Sequence, residues 1–253
     1  MQCYDDYGHG THVCGILCGS GELSRGKYRG IIPAGRLVVG KVLDENGDGN
    51  TKHMIHALDW IYDNRKKYNI RILNISVGIG NLSDSKKLAQ LRERIERLWD
   101  GGVLVVSSAG NKGPADGSVS SIGDTNKAII VGCCDTEQRN KNIDNCEKHS
   151  GRGMLNSLIR KPDLVAPGTN IVSCCHTFFW EKDGYQDAYI GKMGTSMATP
   201  IVTGCAALLI QKEPYLTNEQ IKDRLHYTAR DLHKPWNLQG WGMVDAKSLL
   251  ENV

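Results

Sequence analysis

Three short clusters, far apart in the 253-residue chain, carry residue types suited to polar bond-breaking chemistry. The first is Gly8-His9-Gly10-Thr11-His12-Val13-Cys14-Gly15-Ile16. A histidine flanked by glycines at a strand-to-helix corner leaves room for close substrate approach. Its imidazole titrates near neutrality, which suits a general base, and the apolar run after it reads as a helix that fixes the corner. The second is Gly194-Thr195-Ser196-Met197-Ala198-Thr199-Pro200. Pro200 is expected in the first turn of a following helix, where a missing N–H costs little. Ser196 then caps or opens that helix, with its hydroxyl beside free backbone N–H groups at the positive dipole end. An oxyanion forming there would be stabilised. The third is Ser107-Ser108-Ala109-Gly110-Asn111-Lys112-Gly113-Pro114, a strand running into a turn that offers the amide of Asn111 as a second donor. Taken singly, Ser196 reads as an ordinary N-cap and Asn111 as a turn residue. The three together point to chemistry.

The elements that must position these clusters alternate in type. Arg36 to Val42, Ile72 to Val77, Val103 to Ser108 and Ala128 to Gly132 are short apolar runs expected to be buried strands. Thr51 to Lys67, with Met54, Ile55, Leu58, Ile61 and Tyr62, has a helical period, as has Ser85 to Asp100, with Leu88, Leu91, Ile95 and Leu98. Gly101-Gly102 end the second of these. Met197 to Gln211 is a long apolar helix, and Thr217 to Thr228 a capped amphipathic one. Continuously apolar strands between helices imply an α/β fold, a doubly wound and mostly parallel sheet covered on both faces in three layers. In such sheets the site lies at the carboxyl ends of the strands. No linker divides the chain, so residues 1–253 read as one domain.

In order and spacing, Gly-His-Gly-Thr-His, Ser-Ala-Gly-Asn and Gly-Thr-Ser-Met-Ala-Thr-Pro closely resemble the signature blocks of the subtilisin-like serine proteases, the subtilases. The likeness spans nearly the whole chain. Lys41 to Gly47, Leu73 to Gly78, Asp163 to Gly168 and Gly240 to Asp245 are similar to further family blocks. Carried over by position, the resemblance implies a serine endopeptidase with Ser196 as nucleophile, His9 as base and Asn111 in the oxyanion hole. His12 becomes an interior helix residue. Ser76, Val77 and Gly78 would pair with an extended polypeptide substrate through backbone hydrogen bonds. Ser108, Ala109 and Gly110 would form one wall of the S1 pocket, with Ser120 or Ser121 near its floor. A propeptide or inhibitor is a further partner that the resemblance allows.

The pattern breaks at one place. The family carries its catalytic Asp in an Asp-Thr/Ser-Gly block upstream of the His, and only eight residues precede His9. Asp5 and Asp6 are too close along the chain to reach the far ring nitrogen. The expectation is a catalytic domain truncated at its N terminus, with weak activity at best. The alternative is a subtilase-like pseudoprotease that binds or regulates. A lipase or esterase fits poorly, because those enzymes carry Gly-x-Ser-x-Gly and place the His last.

Composition narrows the partners. Net charge is +3 with no basic run, which gives no footprint for nucleic acid, and the longest apolar stretches are too short to span a bilayer. The nine cysteines fit small buried hydrophobes in a reducing compartment better than a disulfide framework or a metal site. With no leader at Met1, this favours a cytoplasmic location, and secretion if a leader has been lost. No cofactor is expected. The resemblance allows calcium, but Gly19 to Gly30 holds Arg25, Lys27 and Arg29 and does not support a site. Asp44 to Gly49 imitates an EF-hand start but has Ile55 at the twelfth position, so it reads as a surface turn. His53 and His56 read as solvated helix residues. Lys112 suggests a preference for acidic P1 residues.

Overall fold

The computed structural model describes residues 4–77, 84–135, 144–177, 179–181 and 184–251. The helices are α1 (His9–Cys18), α2 (Thr51–Asn64), α3 (Ser85–Asp100), α4 (Cys146–His149), α5 (Thr195–Lys212), α6 (Asn218–Thr228), α7 (Trp236–Gln239) and α8 (Ala246–Leu250). The strands are β1 (Ile72–Ile75), β2 (Leu104–Ser108), β3 (Ile129–Cys133), β4 (Leu164–Ala166), β5 (Ile171–Cys174), β6 (Phe179–Glu181), β7 (Gly184–Gln186) and β8 (Tyr189–Lys192).

Strands β1 to β4 lie side by side in that order, all parallel, with Ile72 opposite Leu104, Val106 opposite Ile129 and Val131 opposite Leu164. Alternation along each strand sends side chains to two cores. Leu104, Val106, Ile129 and Val131 pack with Ala198, Val202 and Leu209 of α5 and Ile221 and Leu225 of α6. Val105, Ile130 and Ile75 pack with Leu58 of α2 and Leu91, Ile95 and Leu98 of α3. These are the three layers expected from continuously apolar strands between amphipathic helices. Local signals hold the helix ends where the sequence put them. Asp84 accepts from the N–H groups of Lys86 and Lys87 at the start of α3. Thr217 and Gln220 form a reciprocal capping box on α6. Outside the sheet, β5 and β8 pair antiparallel, as do β6 and β7.

Three expectations change. Residues 36–42 form no strand, and Leu37, Val38 and Val39 are 41, 48 and 54% exposed. A strand needs a neighbouring ladder, and among the described residues β1 is hydrogen-bonded only on its β2 side. Apolar content alone supplies no partner. Pro200 lies inside α5, six residues into it, rather than in its first turn. It therefore removes the N–H that would have bonded the Ser196 carbonyl. Cys133 and Cys146 are joined as a disulfide, with Cα atoms 5.9 Å apart, so these two are not simply small core residues. Cys18, Cys134, Cys174, Cys175 and Cys205 carry free thiols.

Candidate active site

The His9 corner is built by a carboxylate and a glycine. Asp5 Oδ1 accepts from the N–H groups of Gly8 (2.8 Å) and Tyr7 (3.2 Å), and Asp5 Oδ2 accepts from both the N–H and hydroxyl of Thr11, each at 2.7 Å. Asp5 thus satisfies donors that the first turn of α1 leaves open. Gly8 has φ 84°, and a side chain there would run into the imidazole of His176. His9 follows as the first residue of α1 and is half-buried. Burial, and then the charge of Lys192, hold its pKa below 6.5. Lys192 Nζ donates to the Gly8 carbonyl at 3.2 Å. The neutral imidazole, the form able to take a proton, is thereby favoured over the imidazolium. His12 is fully buried, as expected, with Nε2 3.0 Å from the carbonyls of both Ile171 and Ile190. It ties α1 to β5 and β8.

Ser196 is the second residue of α5 and is 8% exposed. Its N–H belongs to a first turn whose amides lack helical acceptors. Preceding it, Gly194 takes φ 144°, and a side chain there would press on the Asn111 amide. Asn111 Oδ1 accepts from both the N–H and the hydroxyl of Thr195, each at 3.0 Å. Two donors on one atom make it the oxygen and leave Nδ2 as the outward donor. A cavity of about 130 Å³ opens there, lined by Asn111, Cys146, His149, Met193 and Gly194.

The helices that carry His9 and Ser196 pack together through Val13, Ile16 and Met197. Both residues sit at helix amino ends. No hydrogen bond joins the two side chains among the described residues. Such bonds are often long before substrate binds.

Ser76, just past β1, is buried and Val77 is half-buried, while Gly78 lies outside the described residues. Ser108 and Ala109 are buried at the end of β2, and the Ser108 hydroxyl has no hydrogen-bond partner among the described residues. The Ala109 N–H donates to the Val131 carbonyl at 2.8 Å. The carbonyl of Ala109 accepts from Ser120 N–H and that of Gly110 from Gly151 N–H, each at 2.8 Å. Ser120 is thereby held against Ala109 at the end of β2. Neither nearby acid hydrogen-bonds the His9 ring. Both Asp5 oxygens are turned into α1, and Asp6 pairs with Lys41 at 3.0 Å. A larger concavity of about 500 Å³, bounded by Trp99, Asp163, Lys222 and Trp241, lies at the amino ends of the strands, away from these groups. Among the described residues no cluster of His, Cys, Asp or Glu is arranged to hold a metal ion.

Four further residues stand at the site. Thr195 lies inside the Ser196 motif, so its place beside the serine is a local signal. Lys192, His149 and Cys146 reach the site only through folding and left no local signal.

Residues 2–242 match the model of the subtilase family of S8 peptidases. The chain is 34% identical over 256 residues to serine protease AprX of Bacillus subtilis (strain 168), covering 97% of this chain and 58% of that protein. It is 34% identical over 244 residues to subtilisin Savinase of Lederbergia lenta, covering 96% and 78%. Among solved structures it is similar to Sphericase, with a TM-score of 0.81 at 25% identity, over 96% of this chain and 79% of that one.

Proposed function

Because the chain belongs to the subtilase family, we propose that it is a serine endopeptidase working through an acyl-enzyme on Ser196. His9 takes the Ser196 proton as the hydroxyl oxygen attacks the scissile carbonyl. The tetrahedral oxyanion accepts from Asn111 Nδ2 and the Ser196 N–H. His9 then protonates the leaving amine, and water releases the acyl group. The substrate is a polypeptide in extended form, paired along residues 76–78, with its P1 side chain against Ser108, Ala109 and Gly110. A propeptide or protein inhibitor entering as an extended segment would use the same edge. The observation that supports this reading is the pair of hydrogen bonds by which Thr195, the residue before Ser196, holds the Asn111 oxygen and leaves the amide nitrogen to donate elsewhere.

A second reading, a subtilase-like binding protein without turnover, is favoured by one observation: no described carboxylate bonds the His9 ring. Loss of the acid from a subtilisin triad costs about 3 × 10⁴ in kcat, so residues 1–253 tested by themselves call for long incubation. Labelling with a fluorophosphonate separates the two. Covalent labelling that disappears in Ser196→Ala supports the peptidase. No labelling over long incubation, with retained binding of extended peptides, supports the binding protein.

A further inference from the structure

Helix α5 runs through an apolar core, yet it carries threonines at 195, 199 and 203, one turn apart on a single face. Thr195 and Thr199 are fully buried and Thr203 nearly so. Each is engaged. Thr195 Oγ1 donates to Asn111 Oδ1 at 3.0 Å, and Thr199 Oγ1 to the Thr195 carbonyl at 2.7 Å. Thr203 Oγ1 lies 2.9 Å from Asn74 Oδ1 and 3.0 Å from the Thr199 carbonyl. Asn74 faces α5 from the middle of β1, and its Nδ2 donates to Ser76 Oγ at 2.8 Å. A valine would fill the Thr203 position without a hydroxyl to satisfy. The polar choice leaves a side-chain bridge from the nucleophile's helix to Ser76.

We propose that Thr203 and Asn74 are positioning residues, which fix the substrate-pairing segment that begins at Ser76 relative to the helix that carries Ser196. The inference rests on the peptidase reading above. Asn74 has one acceptor and one donor end, and each is used: the oxygen by α5, the nitrogen by Ser76. The bridge therefore transmits the helix position to the residue that leads into 76–78. Without it, Ser76 loses its side-chain tether to α5, and an extended ligand must order that residue on binding. A small electrophile that meets only Ser196 and the oxyanion donors is indifferent to this.

Two reagents read the difference in the whole chain: a small alkyl fluorophosphonate, and a tetrapeptidyl diphenyl phosphonate that needs residues 76–78. In Thr203→Val the ratio of peptidyl to small-reagent labelling rates is expected to fall about tenfold, the order expected from one buried hydrogen bond. Thr203→Ser is expected to restore it to within about twofold, since the hydroxyl returns. An unchanged ratio in Thr203→Val, or an equal fall in Thr203→Ser, overturns the proposal. If Thr203→Val does not fold, Asn74→Ser breaks the same bridge from its other end and takes the same test. Failure of both to fold makes the bridge purely structural and also overturns it. A wild-type chain that neither reagent labels overturns the peptidase reading, and this inference with it.

Discussion

At the scale of single residues, the site depends on two side chains whose state is set by neighbours. Burial and then the Lys192 charge favour the neutral imidazole of His9. A general base must be unprotonated to act, so the acid limb of Ser196 acylation should lie below pH 6.5, the ordinary His value. Removing the cation in Lys192→Met makes the imidazolium less unfavourable, raises the His9 pKa and moves that limb to higher pH. A pH profile of labelling rate checks the direction, and a shift to lower pH would contradict the assignment. Asn111 has its oxygen committed to Thr195 and one amide end left to give. Asn111→Leu should cost about 10² to 10³ in acylation rate, the order seen for one oxyanion donor in subtilisin, with little change in peptide affinity. Steady-state or single-turnover kinetics would separate the two terms.

At the scale of elements, α1 is where a charge supports the site without joining the chemistry. Burial pushes the Asp5 carboxyl upward. The hydrogen bonds from Thr11, Gly8 and Tyr7 outweigh it and hold the pKa at about 2, against an ordinary 3.8. A carboxyl depressed on folding contributes stability above its unfolded pKa, and that contribution is lost as pH falls through the folded value. After allowance for solvent screening it amounts to about 1 kcal/mol. Asp5→Asn should therefore melt a few degrees lower at pH 7, with the gap closing between about pH 4 and pH 2. Thermal melts across that range test it, and a pH-independent gap would point to lost hydrogen-bond geometry rather than charge. The start of α1 was readable as a helix corner from Gly8 and the apolar run after His9. Which acid anchored it was not, because Asp5 reaches Thr11 only once the turn has closed.

At the scale of the whole molecule, the sheet and the disulfide decide what surrounds the site. Cys133 ends β3 and Cys146 opens α4, and the Cys146 sulfur and Cys133 Cβ lie against Gly168, whose carbonyl accepts from Gly194 N–H just ahead of Ser196. The bridge closes a separation of 13 residues, for which chain entropy predicts about 3 kcal/mol of stability. Thiol titration of the unfolded, unreduced chain should find two fewer thiols than after reduction. A dithiol reductant should lower the melting temperature, and an equal thiol count in both states would remove the bridge.

The chain's own order of residues determined the layers and the chemistry-bearing clusters. Helical and strand periods, caps such as Asp84 and Thr217, and the His, Asn and Ser motifs are local, and each is written in neighbouring residues. Tertiary structure alone decided the rest. The run at 36–42 has a strand's apolar content but, among the described residues, no ladder beside it. Cys133 finds Cys146, Lys192 finds the carbonyl before His9, and Thr203 finds Asn74 across 129 positions of chain. Such pairings depend on which surfaces meet when the sheet and helices pack, and no residue's neighbours in sequence record that.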